Sequence, residues 1–422
     1  MLADIFFGVF GLSVLLGLGW LFSPHKKSIQ WRLVGLGVFL QIIFALLVLR
    51  TSWGKALFEA LSRGFVKVIE FTQVGAEFIF GPLANGSQFG FIFAFQVLPT
   101  IIFFASLMSV LYHLGIMQRI VQAMAWVMTR ILGVSGAESL SVAANVFVGQ
   151  TEAPLVVRPY ISRMTQSELF TTMVGGMATI AGGVLAAYVG LLGGDDPERQ
   201  LFFAKHLLSA SIMAAPATIV MSKLLQPETE ESLTRGNVKL HVERTSSNVI
   251  EAAANGASDG VKLALNVGGM LLAFLASIAL VNYPLEAFGQ WLGLEESLGR
   301  PLDFSLVLGW VLSPIAWVIG VPWQDAVNVG GLIGQKVVAN EFVAYSSFNE
   351  IKASMSDKAV LLSTYALCGF ANFSSIAIQL GGIGGLAPER KAQIASLGLK
   401  AVLGGTLVTL MTATIAGVIT GL

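Results

Sequence analysis

SLSVAANVFVGQTEAPLVVR, Ser139–Arg158, and DAVNVGGLIGQKVVANEFVAY, Asp325–Tyr345, are apolar stretches interrupted in the same way. Each carries glycine near its middle and a single glutamate, Glu152 or Glu341. A carboxylate at mid-membrane costs about 2.5–3.5 kcal/mol on insertion scales, so it has to face a cavity or protein rather than lipid. Non-helical backbone at that depth is tolerated under the same condition. A re-entrant hairpin, dipping into the membrane and turning back, satisfies both.

The rest of the chain supplies the membrane context. Of 422 residues, 55% are hydrophobic and 12% charged, against about 25% charged in ordinary soluble domains. Mean hydropathy is +0.76. Spanning helices are read at Ile5–Phe22, Leu33–Leu49, Phe89–Leu111, Leu169–Leu192, Leu201–Leu225, Leu263–Val281, Val360–Leu380 and Ile394–Leu422. Trp53–Phe80 and Met117–Leu132 are amphipathic. Two placements fit them equally, flat at the membrane interface or packed against other helices. The first apolar run precedes its basic residues Lys26, Lys27 and Arg32, the wrong polarity for a cleaved signal peptide.

With the N-terminus outside and the spans alternating, the inside receives Lys26, Lys27, Arg32, Arg119, Arg130, Arg158, Arg163, Arg235, Lys239, Arg244, Arg390 and Lys391. The outside receives Arg50, Lys55, Arg63, Lys67, Arg199 and Arg300, with Asp195 and Asp196. This basic excess favours that orientation. Gln226–Asn255, the longest polar stretch, reads as a cytoplasmic linker between two halves. A zero net charge gives no indication of nucleic-acid binding. The one cysteine, Cys368, excludes an internal disulfide. No HExxH or GxxxxGK[ST] occurs, and the four histidines are scattered.

Each interrupted stretch is followed by a span with a break of its own, GGMATIAGG at Gly175–Gly183 and CGFANFSSI at Cys368–Ile376. Interrupted segments at matching positions in two halves point to a transporter site. Inverted halves would bring both hairpin tips together near the midplane. Lys336 and the terminal Arg158 are the only basic residues in the two hairpin stretches.

GQTEAPLVVRPYI (Gly149–Ile161), ANEFVAY (Ala339–Tyr345) and CGFANFSSIAIQLGG (Cys368–Gly382) resemble the signatures of the concentrative nucleoside transporters. The resemblance covers nearly the whole chain. It implies an all-α polytopic membrane protein of inverted-repeat transporter fold. About eight transmembrane helices are accompanied by two re-entrant hairpins and interfacial helices. It further implies a homotrimer in which a scaffold part holds the assembly and a transport part moves. The expected division is 1–135 scaffold and interfacial helices, 136–225 first transport repeat, 226–262 polar cytoplasmic linker, 263–322 scaffold span and interfacial segment, and 323–422 second transport repeat.

Carried over by residue, the resemblance assigns Gln150, Thr151 and Glu152 to the nucleobase and Glu341, Asn372 and Ser375 to the ribose. Phe370 and Val184 line the pocket. Asn145, Val148, Thr179 and Ile180 hold the sodium ion, Val148 and Ile180 through backbone carbonyls. The chemistry agrees: ribose hydroxyls donate to a carboxylate, and a hard cation takes oxygen ligands. The proton-coupled branch of the family departs from this Asn and Gln-Thr-Glu-Ala-Pro pattern. Asn145 and the QTEAP run therefore favour sodium, with a proton on Glu152 left open. The expectation is sodium-coupled symport of nucleosides, uridine among them, across a bacterial inner membrane, with the N-terminus periplasmic. The alternatives are a proton-coupled symporter, a channel, or an intramembrane enzyme on a lipid-linked substrate.

Overall fold

The computed structural model describes residues 2–194, 196–234 and 246–421. Asp195, Arg235, Lys239 and Arg244 of the charge tally lie outside the described residues. Short turns aside, the elements are α1 (Leu2–Leu21), α2 (Trp31–Leu49), α3 (Ser52–Phe80), α4 (Leu98–His113), α5 (Ile116–Leu132), α6 (Gly136–Asn145), α7 (Gln166–Ala178) and α8 (Gly182–Gly193). They continue with α9 (Pro197–Leu225), α10 (Val249–Trp291), α11 (Phe304–Val318), α12 (Trp323–Val338), α13 (Glu341–Ile351), α14 (Asp357–Ala366), α15 (Phe373–Leu386) and α16 (Lys391–Gly421). No strand occurs among the described residues.

Seven helical stretches among the described residues are long and apolar enough to cross a membrane, and they agree with seven of the eight expected spans. The eighth, Val360–Leu380, is two helices, α14 and α15, separated by residues 367–372. Both halves lie along α16 in antiparallel register. Leu362 packs at Gly417, Gly369 at Thr409, Ala371 at Gly405 and Ile376 at Gly398. The path is therefore one broken span. The first half has its counterpart in α7 and α8, broken at residues 179–181.

The structure forms a further helix where the sequence suggests an interfacial segment. α11 is apolar and turns back into α12 through a bend of 116°. α10 begins at Val249, so the last part of the expected linker is helix. At 43 residues α10 is about 65 Å long, well beyond the ~30 Å hydrocarbon core.

Both interrupted stretches double back. The start of the first is fixed by Glu138, which pairs with Lys223 of α9 at 2.7 Å, and by Gly136 N–H donating to Thr234 O at 3.0 Å. Its exit is fixed at the same place: Glu168 accepts from Ser232 and Thr234, and Thr165 Oγ1 donates to Glu228 at 2.8 Å. Ser135–Glu138 and Thr165–Glu168 are also capping boxes opening α6 and α7. The same carboxylates thus start the helices and tie down both ends of the segment. In the second stretch Asp325, at the start of α12, accepts from Ser356 Oγ at 2.6 Å, at the start of α14. Entry and exit again coincide.

Burial separates an inner group from an outer one. In the most apolar 18-residue window of each, 166–193, 197–225 and 388–421 are 78%, 89% and 83% buried, against 17% for α10 and 22% for Phe93–His113. α4 and α10 pack on each other through Gly256 and Gly260, whose backbones meet Ile102, Ala105, Ser106 and Ser109. Small residues four apart are what allow such an approach. Gly260→Leu should overpack this crossing at a cost of about 1–3 kcal/mol, lowering the melting temperature in detergent. Gly269→Leu, where nothing lies within 4 Å in the protomer, should leave it unchanged. Equal melting of the two variants would contradict the crossing.

Candidate functional site

A helix broken inside the membrane leaves up to four carbonyls on one side and four N–H groups on the other without partners. Here the two breaks meet. Phe370 N–H, in the second break, donates to Thr179 O in the first at 3.4 Å. A side chain at Gly369 would lie 3.0 Å from Met177 O, so only glycine lets the two backbones come this close.

The hairpin tips then reach across to the opposite half. Glu341, where α13 begins, accepts from Tyr188 Oη of α8 at 3.1 Å and from Asn372 Nδ2 at 2.9 Å. Asn372 in turn caps α15, accepting from Ser375 N–H at 2.9 Å. Gln150, at the first tip, donates to Ser375 Oγ at 3.0 Å, and Ser375 Oγ donates to Phe370 O at 2.6 Å. Gln379 of α15 donates to Gln150 Oε1 at 3.1 Å and to Met173 O at 2.8 Å. One chain of hydrogen bonds therefore runs from Tyr188 to Met173 through both tips and both broken spans. All of its side chains are buried.

Of the residues expected at the substrate, Gln150, Glu341, Asn372 and Ser375 are brought together in this network. Phe370 borders it through its backbone, and Val184 is buried near the start of α8. Thr151 is exposed and lies against Gly382 of α15. Glu152 stands apart from the network. It faces a cavity of about 510 Å³ bounded by α4, α5, the first hairpin, Gly182–Gly183 and α10, with Tyr112 and Asp259 on the far walls. The cavity runs along α4 from Ile101 to His113. Its volume is in the range of small-molecule sites.

Asn145, Thr179 and Ile180 are buried where α6 ends against the last turn of α7. Asn145 Nδ2 donates to Ser141 O at 3.0 Å, and Thr179 Oγ1 to Gly175 O at 2.9 Å. Asn145 Oδ1 is buried with no hydrogen-bond partner among the described residues. An orphaned acceptor at the carbonyl end of a broken helix fits a small hard cation. Val148 is half-buried at the cavity wall beside it.

Sequence reading did not single out Tyr188 or Gln379. Each is a polar residue inside an otherwise apolar helix, LAAYVGLL and SSIAIQLGG. That pattern alone fits an interhelical hydrogen bond as well as a site.

Two breaks crossing under two opposed hairpin tips, beside a cavity, define a polytopic membrane carrier. The chain belongs to the Na+ dependent nucleoside transporter family: the family's C-terminal model matches residues 206–417, its N-terminal model residues 10–83, and a gate model described as nucleoside recognition residues 94–195. It is similar to the uncharacterized transporter YutK of Bacillus subtilis, 47% identical over 98% of this chain and 99% of that one. It is 42% identical to the nucleoside permease NupC of Helicobacter pylori, over 100% of this chain and 99% of that one. A structure of CNTnw, described as inward-facing and substrate-bound, superposes with a TM-score of 0.90 at 43% identity over 99% and 98% of the two chains. The chain is accordingly a nucleoside transporter of the concentrative family, and the enzyme alternative falls away.

Gln379→Met tests whether the network matters to the substrate. One buried hydrogen bond is worth about 0.5–1.5 kcal/mol. Nucleoside affinity, measured by calorimetry, should fall roughly twofold to twelvefold with the sodium requirement unchanged. Unaltered affinity would detach Gln150 from the site.

Proposed function

We propose that this protein carries nucleosides, uridine among them, into the cell by symport with sodium, its two hairpins moving together in alternating access. The carrying observation is the hydrogen-bond network that joins Gln150 to Glu341 across the crossed breaks. Apart from Gln379 Oε1, which has no partner among the described residues, its side-chain donors and acceptors pair with one another or with backbone, so a nucleoside enters by exchanging them for its own. A base edge offers both donors and acceptors to Gln150 and Thr151. Ribose hydroxyls donate to Glu341, and Asn372 and Ser375 complete that end. Val184 and Phe370 supply apolar walls. Glu152, at the cavity mouth, meets the base as it arrives.

Sodium binds at Asn145 and Thr179 with the carbonyls of Val148 and Ile180. This reading is supported by the family description and by the unpartnered Asn145 Oδ1. The cation completes the end of α7 beside the first tip, which couples its binding to that of the nucleoside.

The cavity extends to Arg158 and the start of α10, the end assigned to the cytoplasm, which supports an inward opening. Arg390 donates to Ser162 O at 3.1 Å and Met164 O at 2.8 Å. Two loops assigned to the inside thereby meet, in keeping with a periplasmic N-terminus in a bacterial inner membrane. We assign the seam of motion to the cavity, with α4 and α10 on the fixed side. The exposed Leu265, Leu272 and Leu280 of α10 form an apolar face for lipid or for the other subunits of a homotrimer.

One sodium per nucleoside, with a tenfold gradient and 100 mV, supplies about 1.4 plus 2.3 kcal/mol. Proteoliposomes should therefore concentrate labelled uridine, unchanged, on the order of several hundredfold. Removing the sodium gradient should abolish this. Asn145→Ala should raise the sodium requirement more than it alters selectivity among nucleosides. Uptake that ignores sodium and follows a pH gradient would overturn the sodium assignment. Equilibration without accumulation would indicate a channel.

A further inference from the structure

The two halves end their broken helices differently. In the first, α7 stops at Ala178, and the side chain closing on its last turn is Asn145, the final residue of α6. A Cβ at Gly175 would lie 3.3 Å from Asn145 Nδ2. In the second, α14 stops at Ala366, and the side chain closing on its last turn is Lys336, near the end of α12. Both residues lie on the first helix of their hairpin, and both meet the carbonyl end of the helix that follows it. Lys336 is fully buried. Its ammonium donates to Ala366 O at 2.8 Å and to Thr409 Oγ1 of α16 at 2.9 Å. Among the described residues no carboxylate stands within ion-pair distance of it, and the nearest charge acting on it is the more distant Glu341 of the same hairpin.

A buried cation without a direct ion pair needs a further source of negative potential beside that of a distant carboxylate. The carbonyl end of a helix is one, equivalent to about half an elementary charge. It is the same feature that sodium would use at α7. From this correspondence we infer that Lys336 is the tethered counterpart of the sodium ion. It is a built-in cation closing the broken end of α14, and it holds coupling at one exchangeable sodium per nucleoside. The inference rests on the sodium reading given above. Because Lys336 crosses with the hairpin and returns with it, its charge adds nothing to the net charge moved. It takes the place of a second ion that the pseudo-symmetric site would otherwise require. Thr409 and Ala366 position it, and Glu341 begins the next helix on the same hairpin. The ammonium therefore fixes the end of α14 next to the ribose-facing tip.

The test uses the full-length protein in detergent and in proteoliposomes. Uridine binding is titrated against sodium, with choline as replacement. Wild type should show a Hill coefficient of about 1 for sodium. Lys336→Ala, which opens the space, should bind uridine with a Hill coefficient approaching 2 and a sodium midpoint raised at least about tenfold. Lys336→Gln keeps a donor for Ala366 O but loses the charge, and should likewise need more sodium. Lys336→Arg should behave as wild type. A Gln variant with wild-type sodium dependence would reduce Lys336 to a hydrogen-bond donor and overturn the inference. Where a neutral variant folds poorly, high sodium should raise its melting temperature more than it raises that of wild type. Equal shifts would overturn the inference as well. A wild type whose uridine binding ignores sodium would instead sink the sodium reading itself, whatever Lys336 does.

Discussion

The structure depends on one constraint: two helices are interrupted inside the membrane, and the polar backbone groups freed there need partners that lipid cannot give. The protein meets it by crossing the two interruptions, so that Phe370 N–H finds Thr179 O. The side-chain caps follow from the same need. Asn372 takes the N-terminal end of α15, Lys336 the C-terminal end of α14, and Asn145 approaches the end of α7. Polar residues that would be costly alone become affordable as one connected network.

In the proposed mechanism, that arrangement also links binding to movement. Each hairpin tip bonds to the post-break helix of the other half, Gln150 to α15 and Glu341 to α8. A change at one tip is therefore felt in both halves. The outer helices α4 and α10 pack on each other across glycines, and the cavity separates them from the first hairpin. Rigid bodies that meet along such an opening can rock against each other without breaking the inner network. The ionic cluster of Glu138, Glu168, Lys223 and Glu228 holds the first hairpin's two ends together as it does so.

Much of this was legible in the sequence because the membrane penalises polar residues so heavily. Glu341 and Asn372 stand out as polar groups inside apolar stretches, and the glycine-rich GGMATIAGG and the polar CGFANFSSI mark the two breaks within a few residues. The pairing of tips with the opposite half was not legible, since it is set by three-dimensional crossing and not by spacing. Tyr188 and Gln379 were missed for that reason: each looked like an ordinary interhelical donor. Phe304–Val318 was missed as a helix of the second half because no charge or break marks it within an apolar region. The family resemblance groups Glu152 with Gln150 at the nucleobase, whereas the structure places Glu152 at the cavity. Beyond the helix end the backbone turns at residues 149–152, which sends the two side chains to different sides.

In the proposed mechanism the nucleoside sits between the two hairpin tips at the crossed breaks. The most direct measurement is an experimental structure of the protein with uridine and sodium bound. The account predicts ribose density within hydrogen-bond reach of Glu341 and Asn372, base density at Gln150, and the Gln150–Ser375 hydrogen bond replaced by bonds to the ligand. Uridine held only in the cavity between the first hairpin and the α4–α10 pair, with the bonds of Glu341 to Tyr188 and Asn372 and of Gln150 to Ser375 intact, would contradict it.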